Sequence, residues 1–387
     1  MTVPALNRMA SSAGLSPTMA GAAAPCLHPD PVDLSVGEPH VLPPPAVREA
    51  AAAAALEGRS RYGPAAGLPR LRALVAEDLA RRDGVARAPE EVLITAGGKP
   101  AILDALRCML EPGDEVVIFA PYWPSFRDQV LWAGGVPVIV EPGADLLPDM
   151  ADLDRALTPR TRAVIVNQPS NPTGRVWEAE RIRALAERVL RHNLWVIVDQ
   201  AYGPLTLDGP EQPFLRAAPE LASRSVVVES FSKRFAMTGY RLGAAAGPRA
   251  LITAMVTLGS TSVTHACTLS QHAGIAAMGL DGAWEREILA EYRGLRDLLG
   301  EGLQGLPGVS VHVPEGGIYH FPRVREWMAA HGVARDADLV ARLRDEAGVR
   351  LLPGSAFGAP GHIRICFAGG RDRLELAVAR LRAFFLA

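Results

Sequence analysis

A lysine flanked by hydroxyl groups carries the most chemistry in this sequence. In Ser230-Phe231-Ser232-Lys233-Arg234-Phe235-Ala236-Met237-Thr238-Gly239-Tyr240-Arg241-Leu242-Gly243, Lys233 follows two serines and stands eight residues before Arg241. A lysine that condenses with an aldehyde needs some neutral amine, and so needs burial or a cationic neighbour to lower its pKa. Ser230, Ser232 and Arg241 are the donor types that hold a dianionic phosphate. In Thr95-Ala96-Gly97-Gly98-Lys99-Pro100, glycines between a strand and a helix let backbone N–H groups approach a phosphate at the helix's positive end. Trp123, in Pro121-Tyr122-Trp123, is a flat aromatic beyond a strand's carboxyl end, placed to stack on a planar ring. Asp199, in Asp199-Gln200-Ala201-Tyr202, ends another apolar run. Arg364, in His362-Ile363-Arg364-Ile365-Cys366-Phe367, lies on a strand where an unpaired charge is costly and where arginine suits bidentate carboxylate recognition.

These residues need a scaffold that brings strand ends together. Runs rich in Val and Ile at Val92–Thr95, Val116–Phe119, Val136–Val140, Ala163–Asn167, Trp195–Val198 and Ser225–Glu229 read as strands buried on both faces. Before and between the first five lie apolar patterns of helical period at Leu68–Arg82, Ala101–Leu110, Trp123–Ala133 and Glu178–His192. Strand–helix alternation implies an α/β fold whose parallel sheet is covered on both sides. The later half reads as helical over Pro248–Gly279 and Trp284–Leu303. Short strands follow at Val309–Val313, Ile318–Phe321, Val349–Leu352 and His362–Phe367, with helices near Ala337–Glu346 and Asp372–Phe385. That part is expected to form a smaller α+β domain.

Bulk properties exclude several classes. With 387 residues, 49% hydrophobic and 21% charged, the chain is ordinary for a globular protein, and its net charge of -2 gives no reason to expect nucleic acid or an anionic membrane. No run of about 18 apolar residues offers a transmembrane helix. Cys26, Cys108, Cys267 and Cys366 are scattered and form no metal-ligand or disulfide pattern, which fits a reducing cytoplasm and no metal. Residues 1–32 are expected to be a mobile tail without the pattern of a signal peptide. Gly300-Glu301-Gly302-Leu303-Gln304-Gly305 matches a dinucleotide-binding string, but it follows a helix instead of a strand and reads as a helix end.

Taken together, the motifs closely resemble class I aminotransferases, of fold type I of the pyridoxal-phosphate (PLP) enzymes. The resemblance runs from about Asp33 to the C-terminus, with the motifs in the family's order. It implies a large domain, residues 46–289, with a mostly parallel seven-stranded sheet between helices, and a small domain from residues 33–45 and 290–387. It makes Lys233 the residue that holds the cofactor as an imine and later moves the substrate's Cα proton. Gly98, Lys99, Ser230, Ser232 and Arg241 become the phosphate cup, and Trp123 the ring stack. Asp199 is matched to the pyridine nitrogen, with Asn171 (of Asn167-Gln168-Pro169-Ser170-Asn171-Pro172-Thr173-Gly174) and Tyr202 at the phenolic oxygen. Arg364, with Asn171 and the Gly37 backbone, is matched to the substrate α-carboxylate, and Lys99 to an acidic side chain. Tyr62, in Arg61-Tyr62-Gly63-Pro64, is matched to a tyrosine reaching the neighbouring subunit's phosphate, which implies a homodimer. Many members carry Glu where this chain has Gln200.

The implied reaction moves an amino group between an L-amino acid and a 2-oxo acid by way of pyridoxamine phosphate. Elimination, cyclisation or oxidation on the same cofactor would use the same residues. A non-catalytic sensor domain would need an N-terminal DNA-binding module, for which residues 1–32 are too few and too alanine-rich. The segment Gly259–His265 supplies no arginine for a distal carboxylate; His265 reads either as a residue facing the pocket or, preferably, as a helix cap. Replacing Lys233 with Ala should abolish both turnover and the visible absorbance of the lysine-bound cofactor; substantial turnover in that variant would refute the assignment.

Overall fold

A computed structural model describes residues 4–5 and 14–387. In chain order its strands are β1 (Val32–Asp33), β2 (Val92–Thr95), β3 (Glu115–Phe119), β4 (Val136–Val140), β5 (Thr161–Asn167), β6 (Trp195–Asp199), β7 (Ser225–Ser230), β8 (Gly243–Ala246), β9 (Tyr319–His320), β10 (Val349–Arg350), β11 (Leu352–Pro353) and β12 (Ile363–Cys366). Seven of them form one sheet in the order β2-β8-β7-β6-β5-β3-β4, parallel except for β8, which runs antiparallel to both neighbours. The α/β class and the mostly parallel seven-stranded sheet are as expected. β8 escaped the sequence reading because Gly243-Ala244-Ala245-Ala246 lacks the branched residues that mark a strand.

Alternation along each strand builds two cores from one sheet. Val164, Val166, Val196, Val198 and Val227 pack with Leu71, Val75 and Leu79 of helix Pro69–Asp83 and with Ile182 and Leu185 of helix Ala179–Arg191. Ala163, Ile165, Ile197, Val226 and Val228 face the other way, onto Ile102 and Leu106 of helix Gly98–Met109 and Leu251 and Met255 of helix Arg249–Ser262. Strands buried on both faces need no polar alternation, which is why they read as continuous apolar runs.

A third core lies between helices Ala283–Leu303 and Arg371–Leu386, where Tyr292, Leu295 and Leu299 meet Leu374 and Leu381. β9 and β12 add Tyr319, Ile363 and Ile365, and the early segment adds Val32 and Leu34. Small sheets accompany it: β1 pairs in parallel with β10, and β12 lies between β11 and β9 in antiparallel register.

Four expectations need correction. Val309–Val313 is not a strand; it makes one isolated bridge, Ser310 to Arg323, and Pro314 has no N–H with which to extend a ladder. Val349–Leu352 divides into β10 and β11, which join different sheets. The helical stretch after Pro248 breaks around Thr264, whose φ is 69°, into helices Arg249–Ser262 and Thr268–Met278. Within the segment expected to be a mobile tail, Pro17–Ala23 forms a helix with proline in its first turn, where its missing N–H costs nothing. Arg350 donates to Ala22 O at 2.6 Å and fixes that helix near β11. Residues 1–3 and 6–13 of the same expectation lie outside the described residues.

Ile197, fully buried in the central strand β6, is a test of this packing. Ile197→Ala should cost about 2–5 kcal/mol through lost burial and an unfilled cavity, read as a lower urea midpoint; an unchanged midpoint would contradict the two-sided core.

Candidate active site

The strands β5, β6 and β7 deliver their carboxyl ends to one cavity of about 350 Å³. Lys233 follows β7 on a short helix, Phe231–Arg234, whose start is capped by Ser230 Oγ accepting from the Ser232 N–H at 3.3 Å. Its Nζ donates to Gly37 O, on the segment that closes the opposite wall. Burial lowers the Lys233 pKa to about 8; Arg364 and Arg241 push the same way, against Cys366 and Glu38. A measurable share of neutral amine therefore exists near neutral pH, as imine chemistry requires.

On one side of Lys233 stands an anion cup. Helix Gly98–Met109 begins two residues after β2, and Gly98 and Lys99 of its first turn, where N–H groups have no helical partners, line the cavity. Arg241, in the left-handed region at φ 52°, donates to Thr238 O at 2.8 Å and lies against Gly97. A Cβ on Gly97 would sit 2.8 Å from the Arg241 guanidinium, and the φ of 96° there also calls for glycine. Ser230, Ser232 and Lys99 complete the rim. Lys99 Nζ lies 5.0 Å from the centre of the Trp123 ring, and its pKa is lowered by burial and then by Arg241. Trp123 is held edge-on by Phe126, with centroids 5.4 Å apart.

Across the cavity Asp199 ends β6. Its carboxylate is buried and, among the described residues, accepts one hydrogen bond, from the Ala201 N–H at 3.1 Å. Burial raises its pKa from 3.8 to about 6, with that bond opposing. Among the described residues no cation neutralises it, so a protonated ring nitrogen is the kind of partner it lacks. The Tyr202 hydroxyl shares a 2.9 Å hydrogen bond with the Tyr319 hydroxyl, and burial keeps Tyr202 protonated well above the usual phenol range.

Arg364 projects from β12 and is 1% exposed. It donates to Asn171 Oδ1 at 3.1 Å and to Ser35 O at 2.5 Å, and its guanidinium lies 4.3 Å from the Tyr319 ring centre and 4.9 Å from that of Phe357. Its Nε is buried and has no partner among the described residues. Asn171 is itself fixed by its N–H donating to Asn167 Oδ1 at 2.7 Å. A buried guanidinium held only by neutral groups is poised for an anion.

Every expected site residue but Tyr62 lines this cavity. Tyr62 is 89% exposed and stands outside, its ring 5.9 Å from His265. His265 does not cap a helix: the next helix starts at Thr268 with Cys267 before it. Instead His265 Nε2 accepts from the Gly63 N–H at 3.1 Å while Nδ1 donates to Ala266 O at 2.7 Å, so a neutral imidazole steadies the Tyr62 loop. Gly300–Gly305 closes helix Ala283–Leu303, as its context suggested. Sequence reasoning missed Tyr319, Ser35, Asn167 and the contribution of Ser16, Thr18 and Met19 to the cavity wall. Tyr319 lay in a recognised strand, but a strand of two residues does not disclose its face; Ser16–Met19 carried no signal.

The family model for aminotransferase class I and II matches residues 29–381. The aspartate aminotransferase of Geobacillus stearothermophilus is 38% identical over 364 residues, spanning 92% of each chain. The aspartate/prephenate aminotransferase of Thermus thermophilus is 39% identical over 356 residues, 91% of this chain and 90% of that one. Among solved structures, Thermus thermophilus aspartate aminotransferase with maleate superposes with a TM-score of 0.90 at 35% identity, covering 98% of this chain and all of that one. An aromatic aminotransferase from Pyrococcus horikoshii gives 0.87 at 32% identity, with 92% and 95% covered.

Asp199 links stability to pH. Because its folded pKa lies above the unfolded value, the cofactor-free protein loses this group's stability as pH rises from 3.8 to about 6. A shift of about two units is worth about 3 kcal/mol. Cofactor-free Asp199→Asn should therefore unfold at higher temperature than the parent at pH 7.5 and converge with it near pH 4, while binding pyridoxal phosphate more weakly. Equal melting temperatures at both pH values would contradict the buried, unpaired carboxylate.

Proposed function

The chain belongs to the aminotransferase class I and II family and is a pyridoxal-phosphate-dependent aminotransferase of fold type I, and we propose that its preferred substrates are acidic: a 2-amino dicarboxylic acid of aspartate's size and the corresponding 2-oxo acid. The observation that carries this reading is the pair of cations in one cavity, Arg364 and Lys99, neither of which has an acidic partner among the described residues. The printed names of several relatives point the same way, as does the maleate in the Thermus structure.

The residues fit the cofactor: a cup made for an anion, an aromatic face, a buried carboxylate without a counter-charge and two polar groups between them. Gly98, Ser230, Ser232 and Arg241 would hold the phosphate, Trp123 would cover the ring, and Asp199 would pair with the pyridine nitrogen. Asn171 and Tyr202 would meet the phenolic oxygen. When bound, pyridoxal phosphate supplies a conjugated ring that accepts electrons from the substrate's Cα.

The protein's own share is binding, orientation and proton movement. Arg364 clamps the α-carboxylate, and its bonds to Asn171 and Ser35 fix the guanidinium plane. That clamp aims the Cα–H bond at Lys233, whose lowered pKa lets the freed amine take the Cα proton and later return it. Lys99 receives the distal carboxylate. Tyr319 holds the Tyr202 hydroxyl in place and covers one face of Arg364.

Two further parts of this reading concern assembly. An isologous dimer would let Tyr62, exposed on its loop, reach the phosphate cup of a second copy. Within each chain we assign residues 46–289 to the large domain, 33–45 and 290–387 to the small one, and 1–32 to an N-terminal extension. The enzyme would draw on amino acids and 2-oxo acids of the cytoplasm.

Lys99→Met should raise KM for aspartate roughly ten- to hundredfold, the worth of a charged hydrogen bond, and change KM for a neutral amino acid little. Single-turnover formation of pyridoxamine phosphate, measured across the common amino acids, reads both. Aspartate kinetics unaffected by Lys99→Met, or a preference for aromatic over acidic substrates, would overturn the assignment.

A further inference from the structure

We propose that Glu229 is a positioning residue for Lys233, acting through Arg82, Asp78 and Arg234 in a buried ion cluster behind the lysine's helix. The inference rests on the reading of Lys233 as the cofactor lysine and adds the device that aims it.

The helix Phe231–Arg234 has four residues, too few to be stable by its own hydrogen bonds. What surrounds it must set its direction. Arg234, the neighbour of Lys233, turns away from the cavity and donates to Asp78 Oδ2 at 2.7 Å and Glu285 Oε1 at 3.3 Å. Its carbonyl accepts from Trp284 Nε1 at 2.9 Å. Asp78 is shared: Arg82 Nη1 donates to it at 3.2 Å, and Arg81 adds an exposed contact. Arg82 in turn donates to Glu229 Oε1 at 3.0 Å and holds both oxygens of Glu211, at 2.5 and 2.9 Å.

This cluster draws on five places in the chain: helix Pro69–Asp83, the loop with Glu211, β7, the lysine's helix and helix Ala283–Leu303. Glu229 is the member on the sheet itself, one residue before Ser230 of the phosphate cup. It therefore fixes the cluster to the strand from which Lys233 departs. Four carboxylates face two largely buried guanidinium groups, an arrangement that is exacting because removing one partner strands another. Burial, and after it the nearby Glu211 and Asp78, raise the Glu229 pKa to about 7 against the pull of Arg82. The charges that chiefly shift Lys233 are those of Cys366, Glu38, Arg364 and Arg241, on the cavity side, so the cluster acts on the lysine through the helix they share.

The same geometry bears on Gln200, the position at which the family resemblance leads one to expect Glu. Gln200 is buried beside the cluster: a Cβ on Gly203 would lie 2.7 Å from both Arg82 Nη2 and Glu211 Oε1, and 3.5 Å from the Gln200 Cβ. An acid at 200 would bring a fifth carboxylate close to Arg82 and Glu211. The neutral amide adds no charge to the three carboxylates that Arg82 already meets.

The test is a substitution cycle on the holoenzyme at a temperature well below its unfolding. Glu229→Gln should keep the cofactor's visible absorbance and change KM little. Its kcat should fall on the order of ten- to hundredfold, as misplacement of a reacting group does, and the primary isotope effect with Cα-deuterated substrate should grow because proton transfer becomes slower. Gln200→Glu added to Glu229→Gln returns a carboxylate to Arg82 and should recover most of kcat; this double variant keeps the charge count, so it also serves if Glu229→Gln folds poorly. A Glu229→Gln enzyme with parental kcat and isotope effect, whatever its melting temperature, would overturn the proposal, as would a double variant left at the level of the single one. Failure of the Lys233 reading would show differently, as absorbance retained in Lys233→Ala.

Discussion

A guanidinium group sits at the junction of this structure's parts, almost wholly buried and, among the described residues, facing no carboxylate. Arg364 is held by a carbonyl, a side-chain amide and two aromatic faces. Such neutral partners repay only part of the cost of taking a charge out of water. They also come from four distant stretches: Ser35 near β1, Asn171 after β5, Tyr319 on β9 and Phe357 near β11. The clamp exists only when the seven-stranded sheet, the C-terminal core and the early segment are packed together. Folding and the placing of a buried guanidinium open to an anion are thus completed by the same contacts.

The sheet was legible because its physics leaves a plain mark. Strands such as β6, buried on both faces, must be apolar throughout, and Trp195–Val198 announces that directly. The site was legible where a residue type has few other uses, as with Lys233 between hydroxyls and Arg364 in an apolar strand. Other features leave no such mark. β8 is made of glycine and alanine and works through smallness. Tyr319 acts through the face it presents on a two-residue strand. Pro17–Ala23 is alanine-rich and reads as a tail, and its place on the cavity wall follows from packing near β11, which no local pattern records. His265 had the composition of a cap, but its position before Cys267 gave it to the Gly63 N–H instead.

Several groups are kept in states that cost stability. Among the described residues Asp199 is buried without a cation, Lys233 has no anion at its amine, and Glu229 shares Arg82 with two other carboxylates. The cores on both faces of the sheet offset these terms, which is the usual division between a site and its scaffold. The placement is not arbitrary. The unpaired groups face the cavity, where a ligand can answer them, whereas the ion cluster lies behind the lysine's helix, where only other side chains can.

β8 sets a limit of another kind. Its Gly243 passes so close to the Gly97–Gly98 turn that a methyl group would lie 2.7 Å from the Gly97 carbonyl carbon and 2.8 Å from the Glu229 carbonyl oxygen. Ala244, Ala245 and Ala246 are buried between β2 and β7. The blandest run of the sequence is thereby the least free to drift: enlargement there would push the anion cup away from the lysine's strand, so a lineage could retune the cavity walls many times over while these four small residues stayed as they are.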